Sequence, residues 1–204
     1  MTETLALAIP PSEYFRNTSH QLDPALLAGR LILASIYDAA IAYSDPRYRL
    51  PSTTVAATIN EVGMVPGVEM LESTVNFAAD EDYRCVEYAF GVVKRESWAL
   101  GGYTLKTTPE LWDNPATFLV EHGYRPTLDP TVGDVVFYGG VDETVGKLWL
   151  GHVGIFDGLD DSGTMRVVSK LAKGPVIRHN IHLIPSHRFA GWGDAYWFLH
   201  KHEA

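Results

Sequence analysis

Thiol chemistry in this 204-residue chain has one possible nucleophile, Cys85 in EDYRCVEYAFGVV, and eight histidines from which to draw a base. A cysteine in the first turn of a helix meets unpaired backbone N–H groups and the positive end of the helix dipole, and both favour thiolate over thiol. The competing reading is a small buried hydrophobe, because free cysteine is among the most buried residue types. A nucleophilic cysteine needs a base, and the best placed is His152 in LWLGHVGIF. On a strand, alternation puts His152, Gly154 and Phe156 on one face and Val153 and Ile155 on the other, with glycines leaving room for close approach. The base in turn needs a group to orient it. If TMRVVSK pairs with GHVGIF as a hairpin, Ser169 falls near the level of His152. One strand further on, His179 shares a face with Ile177 and Ile181. Either could hold the imidazole.

The elements that must position these residues follow from pattern and punctuation. Residues 1–22 read as an arm. Asp23 caps and Pro24 opens a helix that stops before Pro46. Ser52 caps a second helix ending at Gly63, and a third is expected around GVEMLESTVNFAAD. Asp82 caps the cysteine helix, whose buried face is Val86, Ala89, Phe90 and Val93 at i, i+3, i+4, i+7. Another helix runs from Pro115 to His122 and stops at Gly123. From residue 132 the pattern changes to β-rich runs at 134–138, 151–156, 164–170, 175–181 and 195–201, with DGLDDSG as a hairpin loop. The expected class is α+β, with helices packed on a five-stranded antiparallel sheet. A helical N-terminal region, 1–80, precedes a domain at 81–204.

Composition narrows the partners. A chain 46% hydrophobic and 20% charged has the make-up of a globular protein with one core. Its net charge of -9 argues against nucleic acid or an anionic membrane surface as partner. One cysteine forms no internal disulfide. The opening MTETLALAIPPSEYF has no basic region ahead of its apolar run, and no stretch approaches the roughly 18 apolar residues of a membrane span. The expected location is the cytoplasm, or outside the cell after export by a specialised secretion system. No cofactor is expected. HNIHLIPSH brings His179, His182 and His187 close in sequence, but strand alternation sends His179 and His182 to opposite faces and no H-E-x-x-H helix is present, so no metal is assigned.

A helix-borne cysteine, then VGDVVFY, then GHVGIF, in that order, resembles the NlpC/P60 and CHAP groups of papain-like cysteine hydrolases. RCVEYAFG, VVSKLAKGPVIRH and the closing GWGDAYWFLHK look like a branch of that superfamily with a C-x-x-x-A-x-G helix and an S-K-x-G…H segment. The resemblance covers roughly residues 80–202. It implies a papain-like fold, Cys85 as nucleophile, His152 as general base, and a tyrosine near the oxyanion, for which Tyr83 is the neighbour in sequence. It also implies an amide or peptide substrate, with cell-wall peptide the family default. YRCVEY stands where many NlpC/P60 members have D-C-S-G, and Ser169 stands where their third residue is often histidine. Two other outcomes fit the same residues: a thiol acyl transferase, and a non-catalytic binding module that takes a protein partner through its N-terminal helices.

Overall fold

The computed structural model describes residues 16–17, 24, 28–33, 35, 61–72, 85, 87–91, 119–142, 147–171, 175–183 and 195–202. Eight strands make one antiparallel sheet: β1 Arg16–Asn17, β2 Val68–Glu72, β3 Tyr124–Thr127, β4 Val135–Asp142, β5 Lys147–Leu159, β6 Met165–Lys170, β7 Val176–Asn180 and β8 Ala195–Lys201. Their order is β1-β8-β4-β5-β6-β7-β2, and β3 also pairs with β8. This overturns the expectation of helices packed on five strands. All five expected strands form, but three more join them. Helix among the described residues is limited to residues 24, 28–33 and 35, a 3-10 turn Glu61–Met64, Cys85 with the π-helical turn Glu87–Gly91, and residues 119–121.

The three added strands have local causes. GVEMLESTVNFAAD was expected to be helical, yet Val68–Glu72 alternates half-buried Val68 and Met70 with exposed Glu69 and Leu71, the period of a strand on a sheet edge. Gly67, with φ of 74°, lets the chain turn into it. Tyr124–Thr127 contains Pro126, which lacks an N–H and is tolerated because β3 pairs only with β8. Arg16–Asn17, in the expected arm, pairs with Tyr196 and Ala195. Of the helix expected from Pro115 to His122, residues 119–121 are described and helical, and Gly123 ends them as expected, with φ of 78° and its N–H closing the turn on the Val120 carbonyl. The caps Asp23, Ser52 and Asp82, and most of the expected second helix, lie outside the described residues. No described helix is long and apolar enough to cross a membrane.

Both faces of the sheet are covered. Register places Val136, Tyr138, His152, Gly154, Phe156, Val167, Ser169, Ile177, His179, Tyr196 and Phe198 on one face. Val136, Tyr138, Phe156, Val167, Ile181, Tyr196 and Phe198 form an apolar cluster there, and Leu33 of the N-terminal helix packs with Leu171, Ile177 and Leu183 further along. The opposite face carries Val135, Phe137, Val153, Trp197 and Leu199, clustered with Cys85, Ala89, Phe90, Leu119 and Tyr124.

Candidate functional site

The turn between β5 and β6 fixes the register on which the site depends. Asp160 accepts backbone N–H bonds from Ser162 at 3.0 Å and Thr164 at 2.9 Å, and Gly163 supplies the positive φ. Ile155 then pairs with Val168 and Phe156 with Val167, which brings Ser169 across from Gly154. A Cβ on Gly154 would lie 2.6 Å from Ser169 Oγ and 2.5 Å from Val167 Cγ1. Glycine is therefore required there, because the neighbouring strand occupies the space.

His152, Ser169 and His179 are all fully buried on this one face. His179 Nε2 and Ser169 Oγ are 2.8 Å apart, and His179 Nδ1 lies 2.8 Å from the Asn180 carbonyl oxygen. A carbonyl only accepts, so Nδ1 carries the proton in the neutral ring, Nε2 accepts, and the Ser169 hydroxyl donates to it. Burial pushes His179 down to about 4; the Asn180 hydrogen bond opposes this and the Arg166 charge adds to it. The His152 ring lies 5.8 Å from that of Tyr138. Burial, and secondarily the charge His179 would carry, push His152 down to about 3. Both imidazoles are neutral at ordinary pH.

Cys85 is placed differently. It is 2% exposed and belongs to the apolar cluster that contains Val153, the residue next to His152. Adjacent strand residues project to opposite faces, so the sheet lies between the thiol and the imidazole. The structure thus brings together His152, Ser169 and His179, and separates Cys85 from them. Ala89 and Phe90, expected on the buried face of the cysteine helix, are buried. Tyr83, Val86 and Val93 lie outside the described residues, as does His187. His182 is half-buried, and burial and Arg30 lower it. Among the described residues no three His, Cys, Asp or Glu side chains are grouped to hold a metal ion.

Several groups escaped the sequence reading. Asp134, 6% exposed, accepts from the Thr131 N–H at 2.8 Å and from His200 Nδ1 at 2.7 Å, which explains the aspartate of VGDVVFY as the clamp that starts β4. Arg178 donates to Asp157 and, at 2.6 Å, to Glu69. Lys170 is 7% exposed at the end of β6. The salient signal for these lay in pairing across strands, which no local window carries.

The single antiparallel sheet thus carries a helix-borne cysteine on one face and a buried strand histidine on the other. The family model of the CHAP domain matches residues 76–170, a little under half of the chain. CHAP domains are typically amidases or peptidases that depend on cysteine and histidine, often acting on peptidoglycan. The family resemblance drawn from the motifs is therefore shown for this segment. Neither the curated proteins nor the solved structures include a match.

Proposed function

We propose that the chain is a thiol-dependent amide hydrolase, a peptidase or amidase, in which Cys85 is the nucleophile and His152 its proton acceptor. The observation that carries this reading is the span of the CHAP match, which includes Cys85, His152 and Ser169 in chain order and ends before His179. Cys85 thiolate attacks the amide carbonyl, and the oxyanion is held by backbone N–H groups, each worth on the order of 10²–10³ in rate. The leaving amine departs with a proton from the imidazolium. Water then attacks the thioester, His152 takes its proton, and the carboxylic acid leaves as the thiol re-forms. An amine in place of that water would make the same site an acyl transferase. Ser169 or His179, which share its face of the sheet, would orient His152. Cell-wall peptide is the substrate class to which the family points, reached from the cytoplasm or by specialised export.

The test is release of new amine ends from purified peptidoglycan and from simple peptide amides by the full chain, compared with Cys85→Ser and His152→Gln. Loss of at least about 10³ in kcat/KM in both variants is expected, in line with removal of one member of a nucleophile–base pair. Turnover that survives in Cys85→Ser would refute the assignment.

A second reading is favoured by the placement of Cys85 and His152 on opposite faces of the sheet: a non-catalytic binding module on the same framework. A Cys85 that reacts with iodoacetamide only after the chain unfolds, together with no turnover, is its signature.

A further inference from the structure

The helical residues 28–33 and 35 lie outside the segment matched by the CHAP model, yet they pack on the face of the sheet that holds the imidazoles. Register shows what they cover. Ser169 pairs with Ile177 across β6 and β7, and His179 pairs with Val68 across β7 and β2. Leu171 follows two residues after Ser169. Leu171, Ile177 and Val68 thus flank the hydrogen bond between Ser169 and His179, and all three belong to the apolar cluster of Leu33, which is fully buried.

Two contacts seat the helix over this cluster. Gly29, one turn before Leu33, comes so close that a Cβ there would lie 3.0 Å from both Leu183 Cδ2 and Val65 Cγ1. Arg30 Nε donates to the His182 carbonyl at 2.6 Å. The carbonyl before it, of Ile181, accepts the Tyr138 hydroxyl at 3.1 Å, and the Tyr138 ring lies 5.8 Å from that of His152. Leu31 is 59% exposed, so the helix turns Gly29 and Leu33 inward and Leu31 outward. Beneath it lie a hydroxyl and two imidazoles, all fully buried. A helix that served stability alone would be seated at least as well on an apolar stripe, because buried polar groups hold only while their partners stay in place.

We propose that this helix is an intrachain cover, an autoinhibitory contact that keeps solvent and substrate from the face carrying Ser169, His179 and His152 until it lifts. The inference deepens the hydrolase reading and rests on it in one respect, that the base must be reached for turnover to occur. Lifting leaves the sheet whole, because β6 and β7 are joined by their own ladder and the opposite face has its own core around Trp197.

The experiment compares three opening equilibria in the folded full chain, in urea below the unfolding transition. Amide hydrogen exchange at residues 29–33 reports the helix, diethylpyrocarbonate labelling of His179 and His152 reports the covered face, and amide exchange at Trp197 reports global unfolding. The histidines are expected to open with the helix, at least about tenfold more often than Trp197, and with a shallower urea dependence because one departing helix exposes little surface. Gly29→Leu overfills the contact with Leu183 and Val65 and should raise histidine labelling about tenfold or more, whereas Leu31→Gln, on the exposed side, should leave it at the wild-type rate. Histidine labelling that follows Trp197 in rate and urea slope, or that is unmoved in a folded Gly29→Leu, overturns the proposal. Should Gly29→Leu fail to fold, the wild-type comparison decides alone.

Amide turnover is assayed separately in wild type and Gly29→Leu. Helix-linked labelling with no turnover in either protein sustains the cover and removes the hydrolase reading. Turnover that stays constant while labelling rises keeps the hydrolase reading and overturns the autoinhibition.

Discussion

Acid should weaken this fold through two particular side chains. His152 and His179 are fully buried and held near 3 and 4, whereas the unfolded chain titrates each near 6.5. Below 6.5 the unfolded state therefore binds protons that the folded state refuses, and stability falls with pH. The stabilisation is complete above the unfolded value and is lost as pH drops from 6.5 toward 4 and then 3. Between pH 7.5 and 5 each imidazole costs about 2 kcal/mol, about 4 kcal/mol for the pair, from roughly 1.4 kcal/mol per pH unit. Against a total of about 5–15 kcal/mol this is a large fraction. The assay is urea unfolding followed by tryptophan fluorescence at pH 7.5, 6.5, 5.5 and 5.0, in wild type and in His179→Gln. Glutamine retains a partner for the Ser169 hydroxyl but does not titrate. The pH-dependent loss in the variant should be smaller by about 2 kcal/mol, since one of the two proton sites is gone. Equal losses in the two proteins, or a native His179 ring resonance titrating near 6.5, would refute the reasoning.

Other perturbations test the sheet itself. Gly154→Ala places a methyl 2.5 Å from Val167 Cγ1 and 3.0 Å from the Val168 carbonyl oxygen, so it should cost about 1–3 kcal/mol in urea unfolding. Ser169→Ala removes the hydroxyl at the His179 Nε2 and should cost about 1–3 kcal/mol, with less than additive loss in Ser169→Ala/His179→Leu because both partners are then gone. Trp197→Ala, fully buried with its ring 4.2 Å from Phe137, should cost about 3–5 kcal/mol and abolish folding in a marginal background. Glu69→Gln, on an exposed side chain of the Arg178 pair, should shift stability by no more than about 0.5 kcal/mol.

What could be read from the sequence was whatever a local window holds. Strands β4 to β8 announce themselves by β-branched and aromatic runs between turn residues, and DGLDDSG fixes a register that brings Ser169 to the level of the His152 strand. That arithmetic also placed His179 on the inward stripe, where it bonds Ser169. Val68–Glu72 was misread because VEML suits a helix equally well until an edge is available to pair with it. Tyr124–Thr127 was hidden by its proline and its four-residue length. The assignment of faces went beyond any such window. Alternation says that His152 and Val153 part company, but which of the two the cysteine helix covers is a tertiary choice, and here it covers Val153. Lys170 was invisible for a related reason: a lysine ending a strand reads as solvated, yet here it is buried.

The two faces place opposing electrostatic demands on any catalytic cycle. An imidazole held near 3 is neutral, but it is a poor acceptor for a thiol proton, and no imidazolium waits to pair with a thiolate. Pairing would change that. A thiolate brought to about 4 Å contributes about 4 kcal/mol at an effective dielectric of 20, or roughly three pKa units. His152 would then titrate well above its present value, toward the range of a working base. The position of the His152 titration thus reports which face the thiol serves. If NMR places it near 3 both in native protein and after Cys85 is alkylated, the thiol and imidazole never meet. If native protein shows it well above 3 and alkylation lowers it, the pair assembles across the edge of the sheet, and the separation described here is one state of a two-state site.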